Sequence, residues 1–180
     1  FLRWWLWQFL WRRLWRGMRR LRGLGIGVRH AFWDYLVDGL LPVEYVELTA
    51  EHFFDELDRE ASEESFGILR GYTNAVHSLA MSLGSPEPLD SSYLSRVVEV
   101  ADKVQAKYIS DHLAFTHSAG IDLGHLNPVP LNQKIFKRIA AKVDRVQQLS
   151  GRRSLLENIT SHLSLCNEIP EPSFLSAMAD

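Results

Sequence analysis

Cysteine is almost absent from this 180-residue chain, Cys166 being the only one. A single thiol excludes an intramolecular disulfide framework and any zinc or iron–sulfur site built on clustered cysteines, and it suits a reducing, cytoplasmic compartment. Long apolar runs are missing too: none approaches the roughly 20 residues a helix needs to cross a bilayer. A phosphate-binding loop is also lacking, because the Gly25-x-Gly27 pair has no third glycine to complete a dinucleotide fingerprint. What is present, 46% hydrophobic and 23% charged residues, is the composition of one globular domain with a real core and excludes wholesale disorder.

Acidic residues are absent from 1–23, which hold seven of the 20 basic side chains, all arginine. The remainder then carries 13 basic against 22 acidic residues, a charge near −9, which argues against a general nucleic-acid binder. In 1–23, Trp4, Trp7, Trp11, Trp15 and Met18 recur at spacings of three and four with arginines crowding the second half. The pattern is that of an amphipathic helix suited to a membrane surface or a partner helix; the plainer reading is a non-native or poorly ordered extension outside the domain. The domain itself is placed at 24–180.

From Leu24 onward, short β-like runs alternate with helical stretches, the signature of βα units around a parallel sheet. Strands are expected at 24–28, 43–49, 75–83, 107–115 and 154–159. Helices are expected at 31–41, 53–70, 91–105, 133–149 and from 172, with a Gly/Pro-bearing loop at 118–130. The polar residues sit within these strands or at their carboxyl ends, where (β/α) barrels build their sites. Since a closed eight-stranded barrel needs about 250 residues, the expected architecture is an α/β, TIM-type barrel with about five of eight units present.

His77, His112 and Glu157 each interrupt a strand otherwise fit for burial. A polar group in such a place must be hydrogen-bonded, bound to a metal or engaged in acid–base work. A mixed imidazole and carboxylate set suits iron, manganese or zinc. Asn158 follows Glu157 at a strand end and can turn toward the same site. Glu51, after the second strand, is placed to orient a ligand or bind substrate, or else to sit as an exposed acid at a helix start. His125 falls in the loop after the fourth strand. His30, His117 and His162 are read as solvated side chains, and Cys166 as a loop thiol without a base. Ser82 and Ser85 flank Gly84 in what could mimic a phosphate turn, but Asp90 as cap of the next helix accounts for them more simply.

The series GIGVR at 25–29, VEYVELTAEHF at 43–53, VHSLAMSLGS at 76–85, LDSSYL at 89–94, ISDHLAF at 109–115, GHLNPVP at 124–130 and LLENI at 155–159 resembles, in order and spacing, the methanobactin-biosynthesis (MbnB-type) family of multinuclear non-haem iron-dependent oxidative enzymes. The resemblance covers residues 24–180. It implies a xylose-isomerase-like (β/α) barrel holding two or three irons, with molecular oxygen as co-substrate. It further implies oxidative modification of a cysteine in a ribosomally synthesised precursor peptide, aided by a small partner protein that presents the peptide. By the same resemblance His77 and His112 are iron ligands, Glu157 is a carboxylate able to bridge irons, and Asn158 and Glu51 stand close by in the site. Asp111 replaces the family's usual Glu and His52 its usual Asn, and the family's later ligands come from strands that would follow Asp180. The competing readings are an inactive fragment or binding module of the same fold, and a metal-dependent isomerase or lyase on a similar barrel.

Overall fold

The computed structural model describes residues 23–59, 62–161, 163 and 165–179; the amphipathic pattern of residues 1–22 and His162 lie outside them. Five parallel strands, β1 (Gly25–Gly27), β2 (Tyr45–Thr49), β3 (Thr73–His77), β4 (Tyr108–His112) and β7 (Arg153–Glu157), form one sheet in the order β1-β2-β3-β4-β7. Between β4 and β7 the chain makes an antiparallel hairpin of β5 (Ala114–Ser118) and β6 (Ile121–Pro128). The architecture is α/β with a parallel sheet whose outer strands are β1 and β7; among the described residues it does not close on itself.

Successive side chains of a strand alternate between faces, so the register assigns each residue a side. Val46, Leu48, Val76 and Ile109 share one face and are buried in a single cluster with Leu94, Val97 and Val100 of one helix and Ile139 and Val146 of another. The opposite face is mixed, with Tyr45, Tyr108 and Leu155 on it as well as small and polar residues. There Thr49 stands beside His77, His77 beside Ser110, and His112 beside Glu157.

Two helices carry most of the packing. Helix α4 (Ser91–Lys103) follows the shorter α1 (Trp33–Val37), α2 (Phe54–Leu57) and α3 (Ser62–Leu69). Asp90 caps it by accepting from the N–H groups of Ser92 (2.8 Å) and Tyr93 (3.1 Å), and Leu94, Val97, Val100 and Ala101 form its buried stripe. Helix α5 (Gln133–Ser150) starts on Asn132, whose side chain accepts from Ile135 N–H at 2.9 Å. It ends on Gly151 at φ +64°, a left-handed conformation that lets the glycine N–H cap Gln147 O. Helix α6 (Glu171–Ala179) adds the buried Phe174, edge-on to Phe136. No helix among the described residues is long and apolar enough to cross a membrane.

The structure departs from the expected elements in five places. The stretch 31–41 yields a turn of 3-10 helix and the short α1, and 53–70 breaks into α2 and α3. The third strand stops at His77 instead of reaching 83, and the fourth at His112 instead of 115. After His77 the chain turns into a buried loop, with Ser78 N–H bonded to Ser110 O and Ser82 at φ 53°; Met81 and Leu83 fill the core from this loop. Lys142 of α5, itself buried, holds the loop by donating to Ser82 O (3.1 Å) and Ser85 O (2.9 Å). Burial is the largest cause lowering its ammonium to about 8. Gly84 packs so closely on β5 that a Cβ there would lie 3.0 Å from Ala114 O. Finally, the expected loop 118–130 is mostly strand β6, whose exposed, glycine- and proline-bearing sequence hides its pairing with β5.

Candidate metal centre

The parallel strands end together, and their last polar residues meet there. His77 closes β3, His112 closes β4 and Glu157 closes β7. Each offers one ligand atom, and the three atoms lie within 4.8 Å of one another. The imidazoles stand edge to face, ring centroids 4.6 Å apart at 80°, both 8% exposed, whereas the Glu157 carboxylate is open to solvent on the outer strand.

Second contacts aim these rings. His77 Nδ1 lies 2.9 Å from Ser110 Oγ, which leaves Nε2 free of that bond. His112 Nδ1 is shut off from solvent and has no hydrogen-bond partner among the described residues. Asp111 Oδ1 lies 3.8 Å away, near enough for an electrostatic contact but too long for a hydrogen bond. Burial, and after it the neighbouring His77, pushes the His112 pKa down, so this imidazole is neutral at neutral pH, the form that ligates metals.

Glu51 sits in the 3-10 turn Ala50–Phe53 directly after β2. Its Oε1 accepts from Leu79 N–H at 2.7 Å and from the Tyr93 hydroxyl; its Oε2 is buried without a partner among the described residues. Asp111 points to the helix-bearing face, away from the His77 side, and accepts from Ser78 Oγ (2.9 Å), Met81 N–H (2.9 Å) and its neighbour's His112 N–H (2.5 Å). The loop after β3 therefore has three successive N–H groups satisfied by side chains from three other elements: Glu51, Tyr93 and Asp111.

Burial raises the Asp111 carboxyl to about 7, outweighing those donors, with the Glu51 charge adding to the rise. In the unfolded chain the same group titrates near 3.9, so between about 4 and 7 the folded state binds more protons than the unfolded one. By linkage, Asp111 makes the metal-free chain lose stability as pH rises through that window. Asp111→Asn is expected to flatten this trend, read as the difference between urea midpoints at the two ends of the window. An unaltered difference would mean that the carboxyl is ionised throughout.

Other residues fall elsewhere. Asn158, just past β7, lines a pocket of about 170 Å³ with Leu113, Pro128 and Asn167, and is not among the three grouped ligands. His125 lies exposed on β6, and Cys166 is a free, exposed thiol. Ser82 and Ser85 are buried, and Asp90 caps α4. Sequence reasoning missed Ser78, Tyr93 and Ser110 as supports. Ser110 was findable, being two residues before His112 and hence on its face. Tyr93 carried only a weak signal, a hydroxyl in the first turn of an apolar helix stripe.

Among the described residues, two buried side-chain atoms near the strand ends are left without hydrogen-bond partners: Nδ1 of His112, itself a member of the His/His/Glu group, and Oε2 of Glu51, which lies outside that group. The His/His/Glu set matches a divalent transition metal of the iron, manganese or zinc kind with positions left open.

The family described as "RiPP precursor modification enzyme MbnB/TglH/ChrH" matches residues 23–180. A UPF0276 protein of Anaeromyxobacter sp. is 30% identical over 162 residues, covering 89% of this chain and 57% of its own length. UPF0276 proteins of Caulobacter vibrioides (30%, covering 87% and 56%) and Acinetobacter baylyi (28%, covering 88% and 54%) are similar. The chain thus spans somewhat over half the length of the curated relatives it matches. Among solved structures, D-psicose 3-epimerase in the presence of D-fructose superposes with a TM-score of 0.43 at 13% identity, over 71% of this chain and 49% of that one.

Proposed function

The chain belongs to the RiPP precursor modification enzyme MbnB/TglH/ChrH family, and from that premise we propose that it forms the first part of an iron-dependent enzyme that oxidatively modifies a cysteine in a ribosomally synthesised precursor peptide. The observation that carries this reading is the convergence of His77, His112 and Glu157 ligand atoms within 4.8 Å at the carboxyl ends of three parallel strands. The open five-stranded sheet is read as about five of the eight units of a xylose-isomerase-like (β/α) barrel. Its polar face would be the barrel interior and the apolar face the one covered by helices.

In this reading His77 and His112 hold a metal through neutral imidazole nitrogens, and Glu157 contributes a carboxylate able to span two ions. Glu51 and Asn158 stand at the rim, where they can orient a ligand or the peptide. Two or three bound irons would supply oxygen activation and the redox capacity that the protein's own side chains lack. The chain's residues do the rest: buried imidazoles exclude water from one side, and Ser110 sets the ring of His77. The proposed partners are the precursor peptide and a small protein that presents it, and the proposed compartment is the cytoplasm.

The test is anaerobic iron loading followed by exposure to oxygen with cysteine-containing peptides encoded beside the gene, using a chain of the relatives' full length. Stoichiometric iron and an oxygen-dependent mass change at cysteine are expected. Iron retention with unaltered peptides would overturn the oxidative reading while leaving the metal centre standing. Glu157→Gln is expected to lower both iron retention and turnover, because an amide is a poor bridge between cations. Since Glu157 is exposed, the unfolding free energy of this variant should stay within about 0.5 kcal/mol of wild type. Unchanged iron content in this variant would remove the carboxylate from the site.

A further inference from the structure

His112 and Glu157 are fixed to one another by backbone. Strand β4 pairs with β7 through to its last residue, His112 opposite Glu157, and Leu113 N–H continues the ladder by donating to Glu157 O. His77 has no such tie to His112. The pairing of β3 with β4 ends two residues earlier, at His77 opposite Ser110, and its last bond runs from Ser78 N–H to Ser110 O. Beyond that point the chain after β3 has left the sheet, so the ladder holds neither Asp111 nor His112 against it. Yet the two imidazoles must meet if one ion is to take both.

At this gap the two segments are joined by a side chain. Asp111 Oδ2 accepts from Ser78 Oγ and from Met81 N–H, each at 2.9 Å, and Oδ1 accepts from His112 N–H. Ser78 directly follows His77, Asp111 directly precedes His112, and both are buried, at 0% and 4% exposure. The bond between them therefore spans the two strand ends on the face opposite the imidazoles, one residue away from each. A carboxylate withdrawn from water into an aliphatic face is costly unless its donors are well placed, and these donors come from the loop that follows His77 and from His112 itself.

We propose that Ser78 and Asp111 are positioning residues of the metal site: their hydrogen bond takes the place of the missing ladder and sets His77 against His112 from behind the sheet. Neither residue touches the ion. The inference rests on the reading that the two histidines share a metal. It adds what holds them at the separation seen here, ring centroids 4.6 Å apart.

The test is anaerobic titration with Co(II), whose visible absorption reports coordination geometry, of a chain of the relatives' full length. Wild type, Ser78→Ala, Asp111→Asn and the double variant are compared, with urea midpoints of the metal-free proteins alongside. Ser78→Ala deletes one oxygen and keeps the backbone bond to Ser110 O. In Asp111→Asn the amide NH2 must face either Ser78 and Met81 or His112 N–H, so one side of the link is lost. Each variant is expected to weaken Co(II) binding about tenfold and to shift the visible band of the bound ion, as loss of a support behind a ligand does. The double variant should lose less than the product of the single losses, because both changes break one link. Wild-type affinity and band in Ser78→Ala would overturn the proposal. So would losses that multiply, and so would an unshifted band with capacity reduced only by the unfolded fraction, which marks a general effect on the fold. Should Ser78→Ala not fold, a wild-type band in Asp111→Asn overturns the proposal by itself. If wild type takes up no Co(II), the metal reading fails and this inference falls with it, an outcome distinct from variants that match a metal-binding wild type.

Discussion

Replacing His112 with alanine is expected to weaken iron binding by more than about a hundredfold while leaving the fold intact. Loss of a group that merely supports a ligand costs about 10–100-fold in metal affinity, so loss of a ligand should cost at least the upper end. The fold should tolerate the change for a reason visible in the site. His112 Nδ1 is buried and unpartnered, so the metal-free chain already bears a desolvation cost, of the order of 1–3 kcal/mol for an unsatisfied polar group. Removing the ring relieves that cost and partly offsets the lost packing against His77. His77→Ala should lose iron comparably but destabilise somewhat more, because it also strips Ser110 Oγ of its partner. Iron content by elemental analysis and urea midpoints of the metal-free proteins separate the two effects. Equal iron in variant and wild type would defeat the assignment of these imidazoles as ligands.

The pH dependence of the same binding has a definite sign. Metal competes with protons for imidazole, so affinity falls on acidification. Because burial lowers the His112 pKa, the fall at this ligand begins at more acidic pH than for an ordinary histidine, whose pKa is near 6.5.

How much of this was legible in the sequence depended on whether a residue's environment is periodic. Helices α4 and α5 were read to within two residues at every boundary, since apolar spacing and the caps Asp90 and Asn132 act locally. All five parallel strands were visible as well, but β3 and β4 were drawn too long. The run Leu79-Ala80-Met81-Ser82-Leu83 is as apolar as a strand, and what makes it a loop is non-local: Glu51, Tyr93 and Asp111 satisfy N–H groups that a neighbouring strand would otherwise take. Hairpin β5–β6 was missed for the opposite reason. Its second strand is exposed, bulged and punctuated by Gly124 and Pro128, so its sequence carries no burial pattern to read.

At the site, His77, His112 and Glu157 stood out because each breaks an apolar run. The two faces of these strands differ: the helix-bearing one carries Val46, Leu48, Val76 and Ile109 with the buried polar Asn74 and Asp111 among them, and the other carries Thr49, Ala75 and Ser110 beside the histidines. Asp111 and His112 are neighbours in sequence yet project to opposite faces, one toward the helices and one toward the metal group. Tyr93 escaped notice because its importance lies in what it touches across 42 residues of chain.

The largest stability effect is expected at Asn74, on the helix-bearing face of β3 and 1% exposed. Its amide nitrogen donates to Leu69 O (2.8 Å), Tyr72 O (3.0 Å) and Val104 O (2.9 Å). Leu69 ends α3 and Val104 follows α4, so one side chain satisfies carbonyls at the ends of two helices, where the intrahelical ladder has run out. Asn74→Leu keeps the volume and removes this donor from Tyr72 O and Val104 O inside the core, while Leu69 O keeps the N–H of Tyr72 at 3.0 Å. At about 1–3 kcal/mol for each of the two carbonyls left without a donor, and with the relief of the unpartnered Asn74 Oδ1 set against it, the net loss should be about 2 kcal/mol. Asn74→Asp should be worse, since it turns a carboxylate toward three carbonyl oxygens with no buried cation to pair it. Urea unfolding reads both, and a loss below about 1 kcal/mol in Asn74→Leu would show that the helix ends find other donors. The connection to function runs through the strand: Asn74 anchors the face of β3 opposite to the one that turns His77 toward His112. A folded remnant of Asn74→Leu should therefore bind iron with wild-type affinity and lose capacity only in proportion to its unfolded fraction. Weakened affinity in the folded fraction would mean instead that Asn74 also sets the register on which the metal group depends.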